Sequence, residues 1–150
     1  MTEHTTYLLD VNVLLALSHA AHVHHDRAHG WWSQRVETCR WATAPVTESG
    51  LLRLLGNPAV IGEPLTISAG LAVLDQACQG SSHVFLIDDT SLLRPLVSTS
   101  HLQGYRQVSD LHLVNLAARH GAVLATLDAR LSTMLAPQDR RHVELVRDAP

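Results

Sequence analysis

The chain has 150 residues, of which 46% are hydrophobic and 17% charged, and it carries a net charge of −3. A chain of that length buries roughly 70% of its unfolded surface, so a core forms without disulfides, and the apolar share excludes disorder. The negative charge excludes a general electrostatic pull toward nucleic acid, so any such binding has to be local.

Aromatic residues are only 4% of the chain, which leaves the core to Leu, Val and Ala. No apolar run reaches the roughly 18 residues that span a bilayer, and the opening Met1-Thr2-Glu3-His4 has no leader pattern. Cys39 and Cys78 fit neither a C-x-x-C pair nor a zinc spacing, and read as small buried hydrophobes. The expectation is one soluble, cytoplasmic domain over residues 1–150. All eleven basic residues are Arg. Without Lys there is no P-loop, no Schiff-base enzyme and no ordinary protein kinase.

In chain order, Thr6-Tyr7-Leu8-Leu9 reads as a strand ending in Asp10, followed by a helix from Val11 to Leu17. Ala21, His25, Ala28, Trp32 and Val36 recur at spacings of three and four, which predicts a second helix from His22 to Glu37. Trp41-Ala42-Thr43-Ala44 is the next strand. Pro45 suits the first turn of a helix to Leu55, stopped by Gly56-Asn57-Pro58. A linker from Asn57 to Pro64 precedes a helix from Ser68 to Gln79, with Thr66 as its cap. His83 to Ile87 is the third strand, and Asp88-Asp89-Thr90 reads as the cap of another short helix. Thr99 to Val108 is irregular. Ser109 is expected to cap a helix from Asp110 to His120, with Gly121 as its stop. Val123 to Thr126 makes a fourth strand, and Val143 to Val146 a fifth. Short buried strands alternating with helices predict a three-layer α/β/α domain, with a central, mainly parallel sheet of four or five strands.

The acids fall at telling places. Asp10 ends the first strand, Asp128 lies just past the fourth, and Glu48 and Asp110 sit in the first turns of helices. In a parallel sheet the strand ends share one edge, and helices starting there aim their N-termini at the same crevice. Four carboxylates brought together repel, and burial strengthens the repulsion. A hard divalent cation such as Mg2+ resolves it, either as one ion or as two about 3.5–4 Å apart.

Leu8-Leu9-Asp10-Val11-Asn12-Val13-Leu14-Leu15 resembles the opening of PIN-domain ribonucleases, the VapC toxins of toxin–antitoxin pairs in particular. The resemblance runs on through Pro45-Val46-Thr47-Glu48-Ser49-Gly50-Leu51-Leu52-Arg53, Ser109-Asp110-Leu111 and Ala125-Thr126-Leu127-Asp128. It implies a PIN fold and an Mg2+- or Mn2+-dependent endoribonuclease that hydrolyses RNA by metal-activated water. By position, Asp10, Glu48, Asp110 and Asp128 are then the acidic quartet. Asp10 and Asp110 would be direct ligands, and Glu48 and Asp128 direct or water-mediated ones. Asn12, Thr47 and Thr126 would support them. The resemblance also implies a cognate antitoxin protein and a homodimer.

Arg106 and Arg130, in or beside loops, are candidate RNA contacts, with Arg27 and Arg53 behind them. His22, His24, His25 and His29 crowd one helix, and His25 with His29 has zinc-compatible spacing. The same helix in the resembling toxins is no metal site. Asp88-Asp89 either extends the acidic set or merely starts a helix. Of Trp31 and Trp32, one belongs to the core and the other to an antitoxin groove or a dimer contact. The competing readings are a PIN-type nuclease of RNA processing or structured DNA, and a non-catalytic module binding RNA or protein. Haloacid-dehalogenase-type phosphatases and response-regulator receivers both fail for want of a Lys.

Overall fold

In the computed structural model, which describes residues 3–150, five strands pair side by side and all in parallel. They are β1 (Thr6–Leu9), β2 (Arg40–Thr43), β3 (His83–Phe85), β4 (Val123–Thr126) and β5 (Val143–Leu145), in the spatial order β3-β2-β1-β4-β5. Met1 and Thr2, part of the stretch read for a leader, lie outside the described residues. Among those described, no helix is long and apolar enough to cross a membrane.

Successive strand residues point to opposite faces, so the sheet feeds two cores. Leu8, Ala42 and Leu124 pack on one face against Leu111, Val114 and Leu116 of α6 (Val108–Arg119). Tyr7, Leu9 and Ala125 pack on the other. That second face is covered by α1 (Val11–Ser18), α2 (His25–Ser33), α3 (Pro45–Leu55) and α5 (Ile67–Cys78), through Val13, Leu14, Trp31, Leu51, Leu55 and Leu74. Each fully buried Leu contributes roughly 1.5–3 kcal/mol by leaving water. The result is the expected α/β/α sandwich.

The helix predicted over 22–37 shrinks to α2. At its end the Arg35 guanidinium donates to the Trp31 carbonyl at 2.9 Å and to Glu144 at 2.7 Å. A side chain thereby takes the role of the next helical turn. Glu144 on β5 also accepts from Tyr7 Oη and Trp31 Nε1, both at 2.9 Å, which pins α2 to both β1 and β5. The linker after α3 contains a short α4 (Pro58–Ile61), started by Asn57, whose side chain accepts from the Ala59 amide. Thr66 caps α5 as expected.

The short helix predicted after Asp88-Asp89-Thr90 is absent from the described residues. Its acids bind side chains of α6 instead of amides: Asp88 meets His112 at 2.8 Å, and Asp89 meets His120 at 2.9 Å and Arg119 at 3.3 Å. A 3-10 turn at Tyr105–Gln107 runs straight into α6, so Ser109 lies inside the helix rather than capping it. Gly121, at φ 62°, ends that helix, a conformation glycine adopts without steric cost. Cys39 and Cys78 are half-buried rather than core.

The crossing of α1 and α3 is close because Gly50 has no side chain. A Cβ there would lie 2.7 Å from Cγ2 of Val11. Gly50→Ala is expected to destabilise the protein by about 1–3 kcal/mol in chemical denaturation. Adding Val11→Ala should recover part of that loss.

Candidate active site

The parallel register of β1 on β4 sets Leu9 beside Ala125, and the Asp10 amide continues the ladder by donating to the Ala125 carbonyl at 2.9 Å. Asp10 is therefore delivered at the sheet edge next to the start of the 126–128 turn. Its Oδ1 accepts from the Val11 amide at 2.7 Å, capping α1, and its Oδ2 accepts from Thr126 Oγ1 at 2.7 Å. Thr126 Oγ1 in turn accepts from the Asp128 amide at 3.1 Å, so one buried hydroxyl joins the Asp10 carboxylate to the Asp128 backbone. Asn12 accepts from the Leu127 amide at 3.2 Å and holds the same turn.

Asp110 enters from the first turn of α6, on the far side of a cleft of about 550 Å³. Asp10, Asn12, Asp110 and Asp128 line that cleft together with Ser109 and with Val46, Ser49, Gly50 and Arg53 of α3. Three of the four predicted acids thus line one cleft. Glu48 does not line the cleft. Thr43 Oγ1 donates to Glu48 Oε1 at 2.7 Å, and the same hydroxyl lies 2.8 Å from His83 Nε2. Glu48 is turned toward β2, β3 and the end of α5 because helical residues advance about 100° per step. Ser49 and Gly50 therefore face the cleft where Glu48 does not. Thr47 is also outside it: fully buried, it exchanges hydrogen bonds with the Ala44 amide and carbonyl and fixes the start of α3.

The electrostatics follow from the crowding. Burial, then the charges of Asp10 and Asp128, push Asp110 up to about 6, against a smaller pull from Arg130. Burial also raises Asp10, despite its bonds from Thr126 and Val11. Asp128 is likewise penalised by burial, but the Arg130 amide and guanidinium outweigh that and hold it below the ordinary carboxylate range. Three oxygen donors at one cleft, two of them with raised proton affinity, suit a hard cation such as Mg2+ or Mn2+. Asp10 and Asp110, the two with elevated affinity, have the most to gain from one.

Arg130 donates to Asp128 at 3.3 Å and is otherwise exposed, while Arg106 lies against Tyr105 and does not line the cleft. Arg27 pairs with Asp148. Arg53, ranked behind Arg106 and Arg130 in the sequence, is the arginine that lines the cleft; its position four residues after Ser49 was the available signal. His25 and His29 contact the carbonyls of Ala16 and Leu17, at 2.7 and 3.2 Å, and tie α2 to α1. Trp31 is core, and Trp32 faces a separate apolar groove with Leu14, Leu17 and Val73.

The PIN domain family matches residues 7–134. The chain is 40% identical to Ribonuclease VapC38 of Mycobacterium tuberculosis, over 93% of this chain and 96% of that protein. It is 39% identical to Ribonuclease VapC39 of the same species, over 85% and 91%. Among solved structures, VapBC2 from Rickettsia felis bound to a DNA fragment from its promoter superposes with a TM-score of 0.61 at 13% identity, covering 94% of this chain and 98% of that one. PAE2754 from Pyrobaculum aerophilum superposes at 0.58 and 23% identity, covering 95% and 84%. At those identities the two structures speak for the fold alone.

Asp110 holds its proton more tightly folded than unfolded, so the metal-free protein loses stability as pH rises from the ordinary carboxylate range through about 6. Asp110→Asn is expected to raise the melting temperature of the metal-free protein at pH 8 and to change it little at pH 4. Stabilisation of the wild type by Mn2+ should grow across the same interval. Thermal denaturation at the two pH values, with and without Mn2+, checks both.

Proposed function

The chain belongs to the PIN-domain family, and on that premise we propose that it is a metal-dependent endoribonuclease, the toxin of a toxin–antitoxin pair. The observation that carries the reading is the convergence of Asp10, Asp110 and Asp128 on one cleft at the strand ends. The relatives named Ribonuclease VapC38 and VapC39 support it, since they align with nearly the whole chain. A protein antitoxin as partner rests on the resemblance to VapC toxins and on the same VapC relatives. Residues 1–150 act in this reading as a single PIN domain, cytoplasmic and homodimeric.

Asp10 and Asp110 would hold Mg2+ or Mn2+ directly. Asp128, whose Oδ1 already accepts from the Arg130 amide and Nε, would act through water or hold a second ion. Bound there, such an ion would supply Lewis acidity for activating a water and for offsetting negative charge on the phosphate oxygens. The chain's own side chains do the positioning. Thr126 fixes the Asp10 carboxylate, and Asn12 fixes the turn that carries Asp128. Arg53 stands in the cleft wall as a phosphate contact. Arg130 and Arg106, both exposed, extend that contact along the RNA. No side chain serves as nucleophile; attack by water on phosphorus with departure of O3′ would leave 5′-phosphate and 3′-hydroxyl ends. Glu48 joins this set only by leaving Thr43, so its share in cleavage is the smaller one.

Purified protein freed of antitoxin is expected to cut total cellular RNA into discrete fragments with Mn2+ or Mg2+, and not with EDTA. Asp10→Asn and Asp110→Ala should each lower the rate by about 100-fold or more, while Glu48→Gln loses less than either. Absence of cleavage by folded protein with every metal would favour a non-catalytic binding module. A folded Glu48→Gln protein as inactive as Asp10→Asn would return Glu48 to the metal site.

A further inference from the structure

Behind α3, away from the acid cleft, three donors of different chemistry come together. Glu48 in the first turn of α3, Cys78 at the end of α5 and His83 at the start of β3 place one ligand atom each within 4.8 Å of the others. All three are half-buried, so the triangle is embedded and still has an open face. The Thr43 hydroxyl lies against it, donating to Glu48 Oε1 and within hydrogen-bond reach of His83 Nε2.

We propose that Glu48, Cys78 and His83 form a second metal site, for a borderline transition ion of the zinc type. It is distinct from the hard-cation cleft of Asp10, Asp110 and Asp128. The donor set decides the class: one thiolate, one imidazole and one carboxylate match zinc ligation, whereas Mg2+ avoids sulfur and nitrogen. Three protein ligands leave the fourth tetrahedral position to water. Ligand bonds of about 2.0–2.3 Å close the triangle with side-chain shifts of the order of 1 Å. Thr43 is the outer partner that such sites use to orient a ligating carboxylate. Ligation as thiolate displaces the Cys78 proton, so binding releases a proton. The ion would join α3, α5 and β3, of which α3 and β3 are already linked through the Thr43 hydroxyl, and it would hold Glu48 away from the acid cleft. The site stands whether or not the cleft cleaves RNA.

Co2+ titration of the full chain tests this by absorption, because only a thiolate ligand produces an intense near-ultraviolet charge-transfer band. The wild type is expected to show the band, saturating at one Co2+ per chain and abolished by an equivalent of Zn2+. Cys39→Ser and Asp10→Asn should retain it, Cys78→Ser should lose it, and His83→Gln should bind about tenfold more weakly or worse. A folded wild-type protein without the band would overturn the proposal, and so would a band that survives Cys78→Ser or vanishes with Cys39→Ser. The wild-type result depends on no substitution, so a misfolded variant does not rescue the idea.

Discussion

The hydroxyl of Thr126 ties the ends of two neighbouring strands. It donates to Asp10 at the end of β1 and accepts from the amide of Asp128 just beyond β4. The bond is buried, where a lost partner costs about 1–3 kcal/mol, and it sets two like charges side by side. Burial first, and then that enforced proximity, set the proton affinities of the cleft. Asp10 and Asp110 hold their protons more tightly than ordinary carboxylates, and Asp128 escapes by means of Arg130. The fold supplies the force that opposes the repulsion: parallel pairing of β1 with β4, and α6 anchored by Leu111 and Val114 in the core beneath.

The helix α3 divides the chemistry of the molecule. Its start is fixed by Pro45 and by the bonds of Thr47 to Ala44, and its approach to α1 is set by Gly50. One side then offers Ser49, Gly50 and Arg53 to the oxygen-lined cleft, and another offers Glu48 to Thr43, His83 and Cys78. Consecutive residues thus serve two environments of different hardness, one all oxygen and one mixed with sulfur and nitrogen.

A separate group of contacts holds the layers in register without entering either site. Glu144 gathers Tyr7, Trp31 and Arg35, and Asp88 and Asp89 clasp His112 of α6 and His120 at its C-terminal end. These pairs join segments 24 to 137 residues apart. Residue spacing along the chain holds no trace of them.

The strands around Leu8, Ala42 and Leu124, the starts of α1 and α3, the stop at Gly121 and the acids at strand ends were all legible in the residue order. All of these are local: periodicity, a proline at a first turn, a glycine at positive φ, and a charge breaking an apolar run. Long-range packing is what sets Asp10, Asp110 and Asp128 around one cleft while Glu48 turns away. It likewise decided that Thr47 is a cap and that Arg53 rather than Arg106 stands in the cleft. The reason is angular. Local sequence sets which element a residue occupies, but on a helix each step turns the side chain by about 100°. Which of those directions faces the cleft is set by how α3 packs on α1 and on the sheet, by contacts with residues far away in the chain.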